Sequence, residues 1–261
     1  MRYFIFLAYD GTLYHGWQRQ PNAVSVQEKL EDVLQKLFGS YIPLVGAGRT
    51  DTGVHARLMV AHFDSQQKID TSLLTFKFNC LLPPDISVYT IVPVTDEAHA
   101  RFSATERTYH YYLYTDKNPF IRPFACRYYY PLNFDNMNEA ANILLRHTDF
   151  GSFCKTGSDN KTNICHISRA QWVKTANNAW YFEISADRFL RNMVRAVVGT
   201  LIEVGKGRIS LSDFEEIILK QDRCASGESM PACGLFLENI VYPDNIFADG
   251  KAPQIFNPSL S

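Results

Sequence analysis

The sequence carries almost no net charge, −1 over 261 residues, so no bulk electrostatic field marks it as a binder of polyanions. No apolar run approaches the roughly 20 residues that a membrane-spanning helix needs. The apolar opening, Met1 to Ala8, soon meets Asp10 and has no small-residue cleavage site. It is too short for a secretory core and reads as a strand. Cysteine is sparse: Cys80, Cys126, Cys154, Cys165, Cys224 and Cys233 show no C-x-x-C spacing. That scatter argues against a zinc site or a disulfide framework and is expected of reduced thiols in a cytoplasmic protein. The chain shows neither a repeat with a clear period nor a low-complexity tract.

What is present is ordinary for a globular protein: 46% apolar and 20% charged residues. A chain of this length forms one large domain or two modest ones and buries roughly 70–75% of its unfolded surface. The charge is unevenly spread. Residues 1–98 carry 8 basic against 10 acidic residues, residues 99–210 carry 15 against 9, and residues 211–261 carry 3 against 8. The net charges are −2, +6 and −5. A basic middle and an acidic end fit either chance clustering or positive charge gathered on one face for a polyanionic partner.

The periodicities predict a strand over 3–9 and a helix over 25–38. Ser25 and Glu28 make a capping box, Leu30, Val33, Leu34, Leu37 and Phe38 an apolar stripe, and Gly39 a stop. Strands follow over 43–47 and 58–64, a helix over 71–79 and a strand over 86–92. The order strand-helix-strand-strand-helix-strand is the split βαβ pattern of ferredoxin-like and RNA-recognition domains. A division falls near Ala104, giving halves 1–104 and 105–243 and an irregular tail 244–261. In the second half a strand is predicted over 108–115, with Tyr109, Tyr111 and Leu113 on one face. A helix over 133–146 and a hairpin of 167–174 with 180–186, turning at Asn177-Asn178, come next. A helix from about Asp187 to Val204 would place Arg188, Arg191 and Arg195 on one side. A helix over 212–220 and a strand over 235–241 complete the pattern.

The densest polar run is Gly46-Ala47-Gly48-Arg49-Thr50-Asp51-Thr52-Gly53-Val54-His55-Ala56. Its glycines permit a tight loop, and a carboxylate beside a cation there suits a nucleophile or a base. It equally suits a turn in which Asp51 caps backbone N–H groups. Asp51-Thr52-Gly53 is also the tripeptide of aspartic proteases, which need two such carboxylates; only one copy occurs, and Arg49-Thr50 is too polar for the strand that leads into that loop. A metal site from Asp51, His55, His62 and Asp64 would need a strand face and a loop to converge.

The run Gly48 to Ala56 resembles the signature of TruA-type tRNA pseudouridine synthases. Further segments match in order: Tyr9-Asp10-Gly11-Thr12, Gly16-Trp17-Gln18-Arg19-Gln20, Ser25-Val26-Gln27-Glu28, Leu82-Pro83-Pro84-Asp85-Ile86 and His99-Ala100-Arg101-Phe102-Ser103-Ala104. Tyr109-His110-Tyr111, Phe189-Leu190-Arg191-Asn192-Met193-Val194-Arg195, Gly199 and Glu203-Val204-Gly205 continue the series. A colinear set of this length, over roughly residues 3–243, is specific.

The resemblance implies an α+β fold of two ferredoxin-like halves sharing a mainly antiparallel sheet, with a basic cleft between them. It implies a homodimer that isomerises uridine to pseudouridine in the anticodon stem-loop of tRNA, at positions 38, 39 and 40, with no metal or organic cofactor. Asp51 maps to the nucleophile, Arg195 to its ion-pair partner, Arg49 to the residue that fills the gap left by the flipped base, and Tyr109 to the ring stacked on the target uracil. Arg188 and Arg191, on the same helix side, suit phosphate contacts better than chemistry, and equally suit a solvated face. The chain departs from the family pattern at Thr52, where Ala is usual, and at Ser226, Ser229 and Met230, a departure expected to leave the catalytic set untouched. A non-catalytic RNA-binding module on the same fold is the alternative.

Overall fold

The computed structural model describes residues 1–158, 161–175 and 178–255. Among them are nine strands, paired mainly antiparallel with one short parallel pair, and five α-helices. Backbone contacts divide the chain into two compact units, Met1–Thr105 with the chain from Leu237 on, and Glu106–Phe236. The second half therefore ends at Phe236 and not at 243, and the described part of the tail belongs with the first unit.

The first unit is built on β1 (Arg2–Tyr9), whose residues from Tyr3 to Leu7 are all buried. A strand covered on both faces reads as a continuous apolar run, and Tyr3-Phe4-Ile5-Phe6-Leu7 is one. It pairs antiparallel with β3 (His55–Asp64) on one side and β4 (Ile86–Val94) on the other. The two-residue β2 (Val45–Gly46) lies on the far edge of β3, giving the ferredoxin-like order β4-β1-β3-β2. β9 (Leu235–Val241) returns late in the chain to lie beside β3.

Helices α1 (Val26–Phe38) and α2 (Thr71–Leu81) supply the two crossovers. The Ser25–Glu28 capping box is formed, and Gly39 ends α1 in the left-handed conformation, donating to the Gln35 carbonyl. Asp70 caps α2, and the Asn79 amide bonds both the N–H and the C=O of Val88, both at 2.8 Å, fastening α2 to β4.

Both strands flanking the glycine-rich run differ in extent from expectation. The strand predicted over 43–47 shrinks to Val45–Gly46, whereas β3 begins at His55, three residues early. Between them the chain forms the glycine-rich loop. β1 and β3 slip register between Leu7 and Tyr9, with Leu7 opposite Met59 but Tyr9 opposite Ala56. Such a bulge re-aims the strand ends, and these ends adjoin that loop.

The second unit is ordered β5-β8-β7, with β5 (Glu106–Tyr114), β6 (Cys126–Arg127) parallel to it, β7 (Ile167–Lys174) and β8 (Ala179–Ala186). Helices α3 (Phe134–Leu144), α4 (Met193–Gly205) and α5 (Leu211–Lys220) accompany them. Asn133 caps α3, and Ser210 with Asp213 makes a second capping box on α5. Asn177, at the predicted hairpin turn, lies outside the described residues, and Asn178 has φ +54°.

One helix is corrected. α4 starts at Met193, about six residues later than the apolar stripe suggested. Asn192 just before it is left-handed (φ +66°), and the Asp187 carboxylate accepts from the N–H groups of His166 and Arg188. Those bonds fold 187–192 as a turn after β8. Arg188 and Arg191 consequently precede the helix, and the single arginine face with Arg195 does not exist.

The tail is not simply irregular. A 3-10 turn at Asp244–Ile246 places the Ile246 carbonyl to accept from the Thr95 N–H (2.9 Å), and Tyr242 Oη donates to the Ala100 carbonyl. Tyr242 and Phe247 both meet Phe4 edge-on, at 5.2 and 6.3 Å between ring centres. Residues 256–261 lie outside the described residues. Because Phe247 is buried in the first unit's core, Phe247→Ala is expected to cost about 3 kcal/mol or more in urea unfolding. A loss below about 1 kcal/mol would mean that the tail is not part of that core.

Candidate active site

Asp51 sits in the loop between β2 and β3, half-buried, with Arg49 exposed and Thr50 buried beside it. The loop is braced on several sides. Its entry is fixed by the Ala47 N–H donating to the Val60 carbonyl at 2.8 Å, and its middle by a 2.8 Å bond between the Thr50 and Tyr9 hydroxyls. The Val54 N–H donates to the Asp51 carbonyl (3.1 Å), closing a turn around 51–54. Below it lies a second loop, 10–17. The Trp17 N–H donates to the Thr50 carbonyl, the Gly53 N–H to the Tyr14 carbonyl, and the Gly11 N–H to His55 Nδ1 at 3.1 Å.

The fit between these loops explains two glycines. A Cβ on Gly11 would stand 2.0 Å from the Val54 carbonyl oxygen, and one on Gly16 2.3 Å from that of Thr50. Gly16 also has φ +87°, a conformation closed to most side chains. Only residues without Cβ let one backbone lie on the other this closely.

Asp10 Oδ1 lies 3.0 Å from the same His55 nitrogen that accepts from Gly11. One nitrogen cannot accept from an amide and donate to a carboxylate at once. The Gly11 N–H is aimed at that nitrogen, so we assign His55 Nδ1 as the acceptor of the Gly11 bond, while Asp10 accepts from the Thr12 N–H and hydroxyl.

The outer motifs hold the lower loop in turn. The Tyr14 hydroxyl donates to Asp85 at 2.7 Å, and the Asp10 N–H to the Asp85 carbonyl. Burial and that carboxylate together push the Tyr14 phenol well above its ordinary pKa. Val26 and Gln27 donate their N–H groups to the carbonyls of Gly16 and Trp17, and the Gln27 side chain accepts from the Arg19 N–H and donates to the Leu44 carbonyl. Buried Glu31 accepts from Arg19, Gln27 and the Leu44 N–H. The segments around 9–12, 16–20, 25–28 and 82–86 thus form one scaffold under the loop of Asp51.

The metal arrangement is not formed. Asp64 makes a two-pronged pair with Arg2 at 2.8 and 2.9 Å, which lowers its pKa, and His62 Nδ1 accepts from the Ala100 N–H. Among the described residues no cluster of His, Cys, Asp and Glu is placed to hold a metal ion.

In the second unit Tyr109 lies on β5 opposite Ile184, half-buried, with Phe189 edge-on to its ring at 5.1 Å. Arg195 is on the first turn of α4. Its Nε donates to the Met230 carbonyl at 2.6 Å, and the Met230 N–H returns a bond to the Arg195 carbonyl. The segment 226–230 therefore touches Arg195 directly, contrary to the expectation that its departures stand clear of the site residues. It crosses α4 where a Cβ on Gly199 would stand 1.8 Å from the Glu228 carbonyl oxygen. Arg191 is exposed and its carbonyl accepts from the Lys155 N–H, while Arg188 is half-buried near Cys165, whose thiol burial pushes up to about 12.

Sequence reasoning missed Phe189 as the wall beside Tyr109 and Met230 as the backbone partner of Arg195. Phe189 opens the Phe189–Arg195 motif, two residues after Asp187, but its approach to β5 follows from the turn. Met230 acts through its carbonyl, which no side-chain pattern can announce.

A carboxylate on a glycine-tight, multiply braced loop of a ferredoxin-like unit defines an α+β protein organised around one fixed acidic group. A profile described as tRNA pseudouridine synthase matches residues 5–103 and 140–243. The chain belongs to that family. Similar proteins named tRNA pseudouridine synthase A include one from Bacteroides thetaiotaomicron, 55% identical, covering 99% of this chain and 97% of that protein. One from Bacteroides fragilis is 54% identical over 94% and 98%, and one from Bacillus licheniformis 39% identical over 93% and 99%.

The buried His62 offers a pH test. Burial, with Arg2 and His99 nearby, lowers its pKa from 6.5 to about 4. The unfolded chain then binds this proton more tightly than the folded one, so His62 should make stability fall as pH drops from 6.5 toward 4. Urea titrations of His62→Gln should show a shallower acid slope in that window. An unchanged slope would overturn the assignment.

Proposed function

We propose that this protein isomerises uridine to pseudouridine in the anticodon stem-loop of tRNA, at positions 38, 39 and 40, with Asp51 as nucleophile. The reading is carried by family membership together with the braced loop that holds Asp51. The carboxylate attacks either C1′ of the ribose or C6 of the uracil as the N1–C1′ bond breaks. The base turns, C5 bonds to C1′, the bond to the Asp51 carboxylate breaks to free it, and the proton on C5 leaves while N1 gains one, so the net change is an isomerisation.

Arg195 is the ion-pair partner of the Asp51 carboxylate in this reading, the role that its place in the Phe189–Arg195 motif implies. Arg49, exposed on the same loop, occupies the gap left when the base flips. Tyr109 stacks on the target uracil, and the edge-on Phe189 supports the ring in that role. Base stacking on an aromatic ring is worth roughly 1–3 kcal/mol, comparable to the cost of unstacking the base. Arg188 and Arg191 contact RNA phosphates from the turn ahead of α4. The enzyme works in the cytoplasm as a homodimer; the outer side of α2, with exposed Leu73, Phe76 and Leu81, offers apolar surface for such contact. No helix among the described residues is long and apolar enough to cross a membrane.

Tritium release from tRNA labelled at uracil C5 tests the chemistry. Wild type should release label and Asp51→Asn should lose at least about 10³-fold in rate while still binding tRNA. Binding without release by the wild type would favour the non-catalytic RNA-binding module. Sedimentation of the same preparation should give twice the chain mass; a monomer would remove the dimer from the proposal.

A further inference from the structure

Arg223 lies outside every motif quoted above, yet its guanidinium organises the segment that meets Arg195. Nη1 donates to Ser226 Oγ at 2.7 Å and to the Gly227 carbonyl at 3.2 Å, and Nη2 donates to Ser229 Oγ at 3.0 Å. Ser229 Oγ also accepts from the side-chain amide of Asn192, the left-handed residue that starts α4. One residue further on, Met230 exchanges two hydrogen bonds with Arg195. The Gly227 N–H donates to Thr200 Oγ1, laying the strap across α4 beside Gly199. Donors on both arms of a planar fork are what a guanidinium provides and an ammonium does not.

We propose that Arg223 is a positioning residue for the isomerisation. It holds the 226–230 strap on α4 so that the Met230 carbonyl fixes the direction of the Arg195 guanidinium. The proposal rests on the reading of Arg195 as the ion-pair partner of Asp51. A cation turned aside by about 1 Å can cost up to 10²-fold in rate without weakening substrate binding. Truncation at 223 removes the three guanidinium bonds to the strap, truncation at 229 removes the two made to Ser229 Oγ, and both leave Arg195 itself in place.

The test is single-turnover tritium release by Arg223→Ala, Ser229→Ala, Arg195→Lys and the doubles 223/195 and 229/195, with tRNA affinity and thermal melting measured on each. Arg223→Ala should slow release about tenfold or more with tRNA affinity within about twofold of wild type, and Ser229→Ala should act in the same direction. In the Arg195→Lys background, adding either truncation should slow release by less than about twofold, because the residue it positions is already gone. Should Arg223→Ala fail to fold, Ser229→Ala with its double carries the comparison. Unchanged rates in both single variants, or equal slowing in both backgrounds, would overturn the proposal and leave the strap as a purely structural element. If Arg195→Lys keeps the wild-type rate while Asp51→Asn is inactive, the Arg195 reading fails and takes this inference with it. If Arg195→Lys is slow and the truncations are additive, only this inference fails.

Discussion

The loop carrying Asp51 keeps its shape because the loop 10–17 lies flat against its backbone, and almost everything characteristic of the first unit serves that contact. The two chains meet carbonyl to Cα, closely enough that a methyl group on Gly11 or Gly16 would overlap an oxygen. Backbone N–H groups from Trp17, Gly53 and Gly11 find acceptors across the seam. Buried backbone groups have to be paired, and here that pairing is also what sets the position of a carboxylate. Asp85, Val26 and Gln27 then hold the lower loop against a strand turn and a helix start. A carboxylate fixed in this way loses little entropy when another group meets it.

The second unit solves a related problem differently. Arg195 and Tyr109 sit on regular elements, the first turn of a helix and the middle of a strand, where the backbone satisfies itself. Their side chains are aimed by neighbours outside those elements. Phe189 reaches Tyr109 from the turn after β8, and Met230 reaches Arg195 from a strap laid over α4. In both cases the aiming residue depends on a break in regular structure. Asn192 in its left-handed conformation makes the turn possible, and Gly199 lets the strap lie on the helix.

How much was legible in sequence follows from how local each feature is. The α1 capping box, the Gly39 stop and the bounds of β7 are set by residues a few positions apart, and sequence and structure agree on them. α4 was read too long because Leu190 and Met193 keep helical spacing through a segment whose backbone is pinned elsewhere, by Asp187 to His166 and Arg188. Apolar periodicity registers burial and does not distinguish a helix from a turn packed against the same core.

The residues by themselves determined the family, the ferredoxin-like order of the first unit and the identity of the loop that bears Asp51. These depend on side-chain type at fixed spacing, and a colinear set of motifs preserves that information. Only the tertiary structure decided why those motifs occur together, that the tail returns to the core of the first unit at Phe4, and that Met230 faces Arg195. Each of those is a long-range contact made through backbone atoms or aromatic edges, which every residue possesses. No local pattern marks such contacts until the chain has folded.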